Sequence, residues 1–311
     1  MSAVNNEPVD NSVSHRTQPA TVVWLVVMVV LWGLSWPATK LALDVVPPLW
    51  LAAIRFGSAC FCLFVFVALR GSLRLPSRAD LPVVASVGLL QMMVFTGLGM
   101  IAMQHTDTSH AVLLAYTTPL WGILTSWLLM RKAPSRLQIV ALVTGLIGIA
   151  LICSPAEMDW GRPGAIMGCS LLIIGAISWS LVIVHVRHHR WSSTPLSLAP
   201  WQMLLATLPL TLLAALIDGS PSTVVFSPHL LWLLLFIGPV ATSVCFVIAT
   251  EHGRRISVFA MSNFTLGVPL VGAAASVVIL GSHLSTLFMG GLLLVFLGVS
   301  MTALSGRRAR H

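Results

Sequence analysis

The sequence predicts an all-α integral membrane protein of ten transmembrane helices, arranged as two inverted five-helix repeats. Three observations lead there. Of 311 residues, 57% are hydrophobic and only 8% charged, against about 25% charged in an ordinary soluble domain. Charge, proline and glycine divide the chain into ten apolar runs. The basic residues then fall on alternate loops between those runs, which is how membrane orientation is written into a sequence. A soluble enzyme, a disordered chain and a disulfide scaffold are excluded together.

The elements follow in order. Residues 1–20 are polar, carry Glu7, Asp10 and Arg16, and lack the basic n-region and cleavage site of a signal peptide. They read as a disordered cytoplasmic tail. Spans at 21–41, 48–69, 81–103, 109–130 and 136–153 make a first repeat over 21–153. Spans at 163–186, 196–217, 229–250, 257–280 and 285–304 make a second over 163–304, and 305–311 form a basic cytoplasmic tail. Each span approaches the roughly 20 apolar residues that a bilayer requires. Residues 256–306 contain no Asp, Glu, Lys or Arg, so Gly281-Ser282-His283 must be a tight turn between two helices. The runs are solidly apolar, whereas transmembrane strands alternate.

With the N-terminus inside, the inner loops and tails hold fourteen of the seventeen basic residues, among them Arg70, Arg74, Arg78, Arg131, Arg187 and Arg190. The outer side holds Lys40 and Arg162 against Asp44, Asp107, Glu157, Asp159 and Asp218. Both termini are therefore expected in the cytoplasm, in a bacterial inner membrane. The net charge of +8 belongs to these loops and implies no nucleic-acid partner. The expected partners are the lipid bilayer and a small organic solute. Cys60, Cys62, Cys153, Cys169 and Cys245 all lie in apolar runs and read as small buried residues.

The halves resemble each other. Gly33-Leu34-Ser35-Trp36 matches Ala176-Ile177-Ser178-Trp179, and Pro48-Leu49 matches Pro195-Leu196, which sets Arg55 opposite Gln202. Pro119 matches Pro269, and Gly148 matches Gly298. The pairs are 143 to 150 residues apart. Because each half holds an odd number of spans, the second copy enters the membrane from the opposite side, as in many secondary transporters.

The run Leu31-Trp32-Gly33-Leu34-Ser35-Trp36-Pro37-Ala38-Thr39-Lys40, followed by Pro47-Pro48-Leu49 and Arg55-Phe56, resembles the opening of an EamA domain. The proline-centred fourth span and glycine-bearing fifth are similar too. The resemblance, to the ten-helix EamA branch of the drug/metabolite transporter superfamily, covers roughly 21–304. It implies two inverted five-helix repeats around a central cavity. It also implies export or exchange of small organic solutes, amino acids and related metabolites being common ones. Many such repeats carry Gly-Glu after the fourth helix. Here those places read Met130-Arg131 and Gly281-Ser282, so coupling through those carboxylates is in doubt.

Candidate residues come from the span interiors. Intramembrane prolines free backbone carbonyls, and broken helices at corresponding places point to a midplane site. Pro119 and Pro269 are thus candidate helix breaks lining the pathway, or simple packing kinks. Arg55 is the only full charge deep in a span. It can grip a solute carboxylate with two parallel hydrogen bonds, or snorkel outward. Trp32, Trp36, Tyr116, Trp121, Trp179 and Trp201 are candidate cavity aromatics, whereas Trp50, Trp160, Trp191 and Trp232 fit interface anchors. Ser35, Gln91, Thr96, Thr117, Thr118, Gln202 and Asn263 can orient a ligand or join helices. The candidate binding set is Trp32, Ser35, Trp36, Arg55, Tyr116, Thr117, Trp179, Gln202 and Asn263.

No Asp or Glu lies deep in a span, which favours facilitated diffusion or exchange over tight proton coupling. Glu251 reads as a partner of Arg254 or Arg255, and His185 as an interfacial histidine. His105-Thr106-Asp107-Thr108-Ser109-His110 has no metal-site spacing and reads as a solvated loop capped by Ser109 or Thr108. No cofactor, metal or catalytic residue is expected.

Overall fold

The computed structural model describes residues 19–131, 133–158, 160–161, 163–221, 224–253, 255–256, 261, 264–282 and 284–308. Asn263, His283, most of the N-terminal tail and much of 257–263 lie outside the described residues.

Among the described residues there are ten helices and no strand. The first half holds α1 (Pro19–Leu43), α2 (Pro48–Leu69), α3 (Leu81–Ala102), α4 (Thr108–Met130) and α5 (Arg136–Ile152). The second holds α6 (Ala165–His188), α7 (Pro195–Asp218), α8 (Pro228–Gly253), α9 (Gly267–Leu280) and α10 (Thr286–Arg308). Seven are long and apolar enough to cross a membrane, and α5, α9 and α10 contribute shorter apolar stretches. The molecule is an all-helical integral membrane protein. Most boundaries lie within three residues of expectation; α1 begins inside the tail, at Pro19, α9 begins at Gly267 where 257 was expected, and α10 continues to Arg308.

Helix starts follow their capping residues. Ser135 and Gln138 form a reciprocal capping box at α5, satisfying two backbone N–H groups that a helix start leaves free. Thr194 and Ser227 cap α7 and α8 the same way at one hydrogen bond each. Proline follows in the first turn of α2, α7 and α8, where its missing N–H costs nothing.

Loop contacts sort the helix ends into two groups. At one end Lys40 Nζ donates to Met103 O at 2.6 Å, the Leu49 N–H donates to Asp218 at 2.8 Å, and Ser285 meets Glu157. At the other, Arg70 pairs with Glu251 at 3.2 Å and His189 Nε2 lies 3.0 Å from Asp80 Oδ1. Helices of alternating direction give this sorting. The helix-local expectation for Glu251, on Arg254 or Arg255, does not include Arg70, which arrives from the end of α2, and Arg254 lies outside the described residues. Two tryptophans tie the halves reciprocally. Trp50 of α2 donates to Gly219 O after α7 at 2.8 Å, and Trp201 of α7 donates to Arg74 O after α2 at 2.9 Å.

Between lipid-facing helices there is no hydrophobic driving force, so close van der Waals contact must hold them. Glycine provides it where α5 meets α10. A Cβ on Gly148 would lie 2.8 Å from Gly291 O, and one on Gly298 would lie 2.7 Å from Ala141 O. The partner of the Gly145/Gly148 face is thus a helix of the same chain.

The 105–110 segment corrects an expectation. Thr106, Thr108, Ser109 and His110 are buried, not solvated, and Asp107 takes the N-cap position without a side-chain cap. The first turn of α4 is packed into the bundle, where the His110 ring meets Phe288 edge-on with centroids 5.0 Å apart.

Candidate functional site

Three irregular helices, α3, α4 and α8, shape the centre of the bundle, and α9 is interrupted as well. In α4 the helix stops at Tyr116-Thr117 and restarts at Thr118. Pro119 has no N–H to give to Ala115 O, four residues back. The Thr118 hydroxyl takes that carbonyl at 2.7 Å, and the Thr117 hydroxyl takes Leu114 O at 2.6 Å. The break is therefore satisfied from within, and it turns Tyr116 inward. In α9 the helix is likewise interrupted at Leu266, just before Pro269.

In α3 and α8 the irregularity is a wide, π-type stretch, Ser86–Phe95 and Phe236–Val244. Such stretches are rare and concentrate at functional sites. These two start 150 residues apart, the same spacing as the Pro119/Pro269 match. Nothing in the hydropathy pattern distinguishes them from ordinary helix, although Pro239 inside the second one is a local signal.

These elements surround a cavity of about 330 Å³, within the range of small-molecule sites. From α1 come Trp32, Ser35, Trp36 and Thr39, spaced i, i+3, i+4, i+7 on one helical face. From α2 come Arg55 and Phe56, from α3 Gln91, Phe95 and Thr96, and from α4 Tyr116. Trp179 enters from α6, and Thr242 and Phe246 from α8. Four methionines, Met92, Met100, Met103 and Met203, add flexible apolar lining. The aromatic wall is continuous: ring centroids lie 4.7 Å apart for Phe95 and Trp179, 6.5 Å for Tyr116 and Trp179, and 6.4 Å for Trp36 and Tyr116.

Arg55 is the one charged side chain on this wall. Its Nε donates to Thr242 Oγ1 at 2.9 Å. Among the described residues that is its only side-chain hydrogen bond, and no carboxylate reaches it. Most of the cavity hydroxyls point their hydrogens elsewhere. Ser35 donates to Trp32 O at 2.7 Å, Thr39 to Ser35 O at 2.6 Å, and Thr242 to Ile237 O at 2.8 Å.

The structure brings together Trp32, Ser35, Trp36, Arg55, Tyr116 and Trp179. It sets the other candidates apart. Thr117 is buried against its own helix and accepts from Trp121 Nε1 at 3.0 Å. Gln202 is buried in α7, whose backbone at that point packs on Gly88 of α3. Pro119, Pro269, Trp121 and Trp201 are not on the cavity wall. Thr39, Phe56, Phe95, Thr242 and Phe246 were not singled out from sequence. The i, i+7 relation to Trp32 was a readable signal for Thr39 only.

A second polar cluster lies at one end of the bundle. Asp80, fully buried, accepts from Ser77 Oγ at 2.9 Å and from the Ser192 N–H at 3.1 Å, beside His189. Burial alone pushes this carboxyl up, but hydrogen bonds from His189, Ser192, Ser193 and Ser77 outweigh it and hold the carboxyl well below the usual carboxylate range. The cluster joins the α2–α3 loop to the α6–α7 loop.

Comparison with known proteins agrees with this architecture. The chain is 24% identical over 283 residues to the uncharacterized transporter YvbV of Bacillus subtilis, covering 90% of each. It is 26% identical to a probable amino-acid metabolite efflux pump of Salmonella typhimurium, covering 91% of this chain and 94% of that one. A solved crystal structure shares the fold, with a TM-score of 0.63 at 20% identity over 94% of this chain and 99% of the other. A model described as the EamA-like transporter family matches twice, over residues 19–154 and 166–304, and with these matches the chain belongs to the EamA-like transporter family.

Proposed function

We propose that the chain carries small organic solutes bearing a carboxylate and an apolar body, amino acids or related metabolites, across a bacterial inner membrane by alternating access. The observation that carries this reading is Arg55: a cation on the wall of an aromatic cavity, with its terminal NH₂ groups unpaired among the described residues. A part-buried cation without a counter-charge is costly, and a bound carboxylate removes that cost through charge-assisted hydrogen bonds. The Trp, Phe and Met wall suits the apolar remainder of the solute.

Alternating access calls for two half-molecules that rock about the site. In this reading the halves are residues 21–153 and 163–304, inverted with respect to each other. The double family match, the interruptions before Pro119 and Pro269, the wide turns in α3 and α8, and the reciprocal Trp50 and Trp201 contacts all support it. The positive-inside distribution supports cytoplasmic termini. The named efflux-pump relatives favour amino-acid metabolites as solutes and outward movement.

The test is counterflow in proteoliposomes preloaded with each of a panel of amino acids and related metabolites, without an ion gradient. Accumulation of one labelled solute class, lost in Arg55→Gln, is the expected result. No accumulation by folded protein would sink the reading. Accumulation only under an imposed pH gradient would replace free exchange by proton coupling.

A further inference from the structure

We propose that Thr242 is a positioning residue: it holds the Arg55 guanidinium by Nε so that the two terminal NH₂ groups meet a planar carboxylate end-on. The inference rests on the reading of Arg55 as the solute anchor. It adds the residue that sets how the anchor is presented.

A threonine hydroxyl has one hydrogen and two lone pairs. In Thr242 the hydrogen goes to Ile237 O at 2.8 Å, five residues back. Toward Arg55 the oxygen can therefore only accept, and Nε–H donates to it at 2.9 Å. The polarity of the contact is fixed. A guanidinium can meet a carboxylate side-on, through Nε and one NH₂, or end-on, through both NH₂ groups. Thr242 occupies Nε, so the end-on mode remains.

The wide turn of α8 is what makes this possible. The five-residue reach of the hydroxyl is the spacing of a π-type turn, and Thr242 lies within that stretch, Phe236–Val244. The same stretch is pressed onto the turn of α2 that carries Arg55. A Cβ on Gly238 would lie 3.1 Å from Arg55 O, and the Ser243 hydroxyl donates to Ala59 O at 3.0 Å. Helix α8 thereby fixes both the backbone and the side chain of the anchor. An arginine on a long flexible stem loses affinity when it must be ordered at binding. Here it is ordered beforehand.

The experiment is leucine counterflow, with leucinamide as competitor, in wild type, Thr242→Val, Thr242→Ser, Arg55→Lys and the double variant Arg55→Lys/Thr242→Val. Gel filtration and thermal melting establish that each is folded. Thr242→Val should raise the leucine KM roughly tenfold with little change in kcat, the size expected for one charge-assisted hydrogen bond. It should also weaken the preference for leucine over leucinamide. Thr242→Ser, which keeps the hydroxyl, should behave as wild type. In the Arg55→Lys background, where the ammonium offers no Nε to hold, Thr242→Val should add nothing further. Wild-type kinetics in Thr242→Val would overturn the proposal. So would an undiminished effect of Thr242→Val in the Arg55→Lys background, which would mark a structural role in α8. If leucinamide competes with leucine in wild-type protein as well as leucine itself does, the reading of Arg55 as a carboxylate anchor fails and this inference falls with it.

Discussion

The centre of the bundle and the α5–α10 pair solve opposite problems with different kinds of residue. At α5–α10 the helices are regular, and glycines bring the backbones into direct contact. Around the cavity the helices are irregular. α4 is broken, α3 and α8 are widened, and bulky aromatic side chains stand where close packing would otherwise be. A bilayer offers no partner to an exposed carbonyl, so irregular backbone survives only where protein or a wet cavity satisfies it. The hydroxyls of Thr117 and Thr118 do that for α4. The buttress is thus built for contact and the centre for space, and variants at each should fail differently.

The largest effect is expected at the buttress. Gly298→Leu would drive a side chain into the Ala141 carbonyl, destabilising the fold by about 3 kcal/mol or more, read as a lower melting temperature in detergent and lower yield. An unchanged melting temperature would mean that α5 and α10 are not in backbone contact. Arg55→Gln should leave melting near wild type but weaken leucine counterflow about a hundredfold, for loss of two charge-assisted hydrogen bonds. If instead it melts like Gly298→Leu, Arg55 belongs to the packing and not to the site.

The Asp80 cluster sharpens the comparison by supplying a third kind of join, polar and titratable. Its folded-state affinity for a proton is depressed, so its contribution is fully present above the ordinary Asp pKa of about 3.9. The contribution is lost as pH falls through the depressed value. Wild type should lose melting temperature on acidification below about pH 4. Asp80→Asn should start about 2 kcal/mol less stable near neutral pH and lose less on acidification. Parallel pH curves for the two proteins would remove Asp80 from the account.

The smallest effect concerns α4. Thr118→Val strips Ala115 O of its donor and should cost about 1 kcal/mol. Restoring a backbone N–H with Pro119→Ala should cancel most of that cost. Additive effects in the double variant would show that the break is not satisfied in this way.

What could be read from the sequence tracks the physics of each feature. Spans are legible because a bilayer imposes length and apolarity on every one of them; nine of the ten helices begin within two residues of the expected start, and the ninth span differs where much of 257–263 lies outside the described residues. Arg55 and the α1 face were legible because a buried charge and a helical period are local signals. Thr117, Gln202 and Trp201 were not separable from true lining residues. Whether a polar side chain faces a cavity or its own helix depends on rotation set by neighbours, as the Thr117–Leu114 and Trp201–Arg74 bonds show. Thr242 escaped because its placement needs a π-type turn, which leaves no mark on hydropathy. The burial of 105–110 escaped because polar residues at a helix start look alike whether solvated or packed.

Everything proposed for the cavity turns on Arg55 as the anchor of a solute carboxylate. The most direct test is competition in wild-type proteoliposomes: labelled leucine counterflow challenged by unlabelled leucine, by leucinamide, and by the deaminated acid 4-methylpentanoate. The account predicts that leucine competes fully, that the carboxylate-bearing acid competes measurably, and that the amide competes least, with this ranking flattened in Arg55→Gln. Equal competition by leucinamide, or a ranking unchanged in Arg55→Gln, would contradict it.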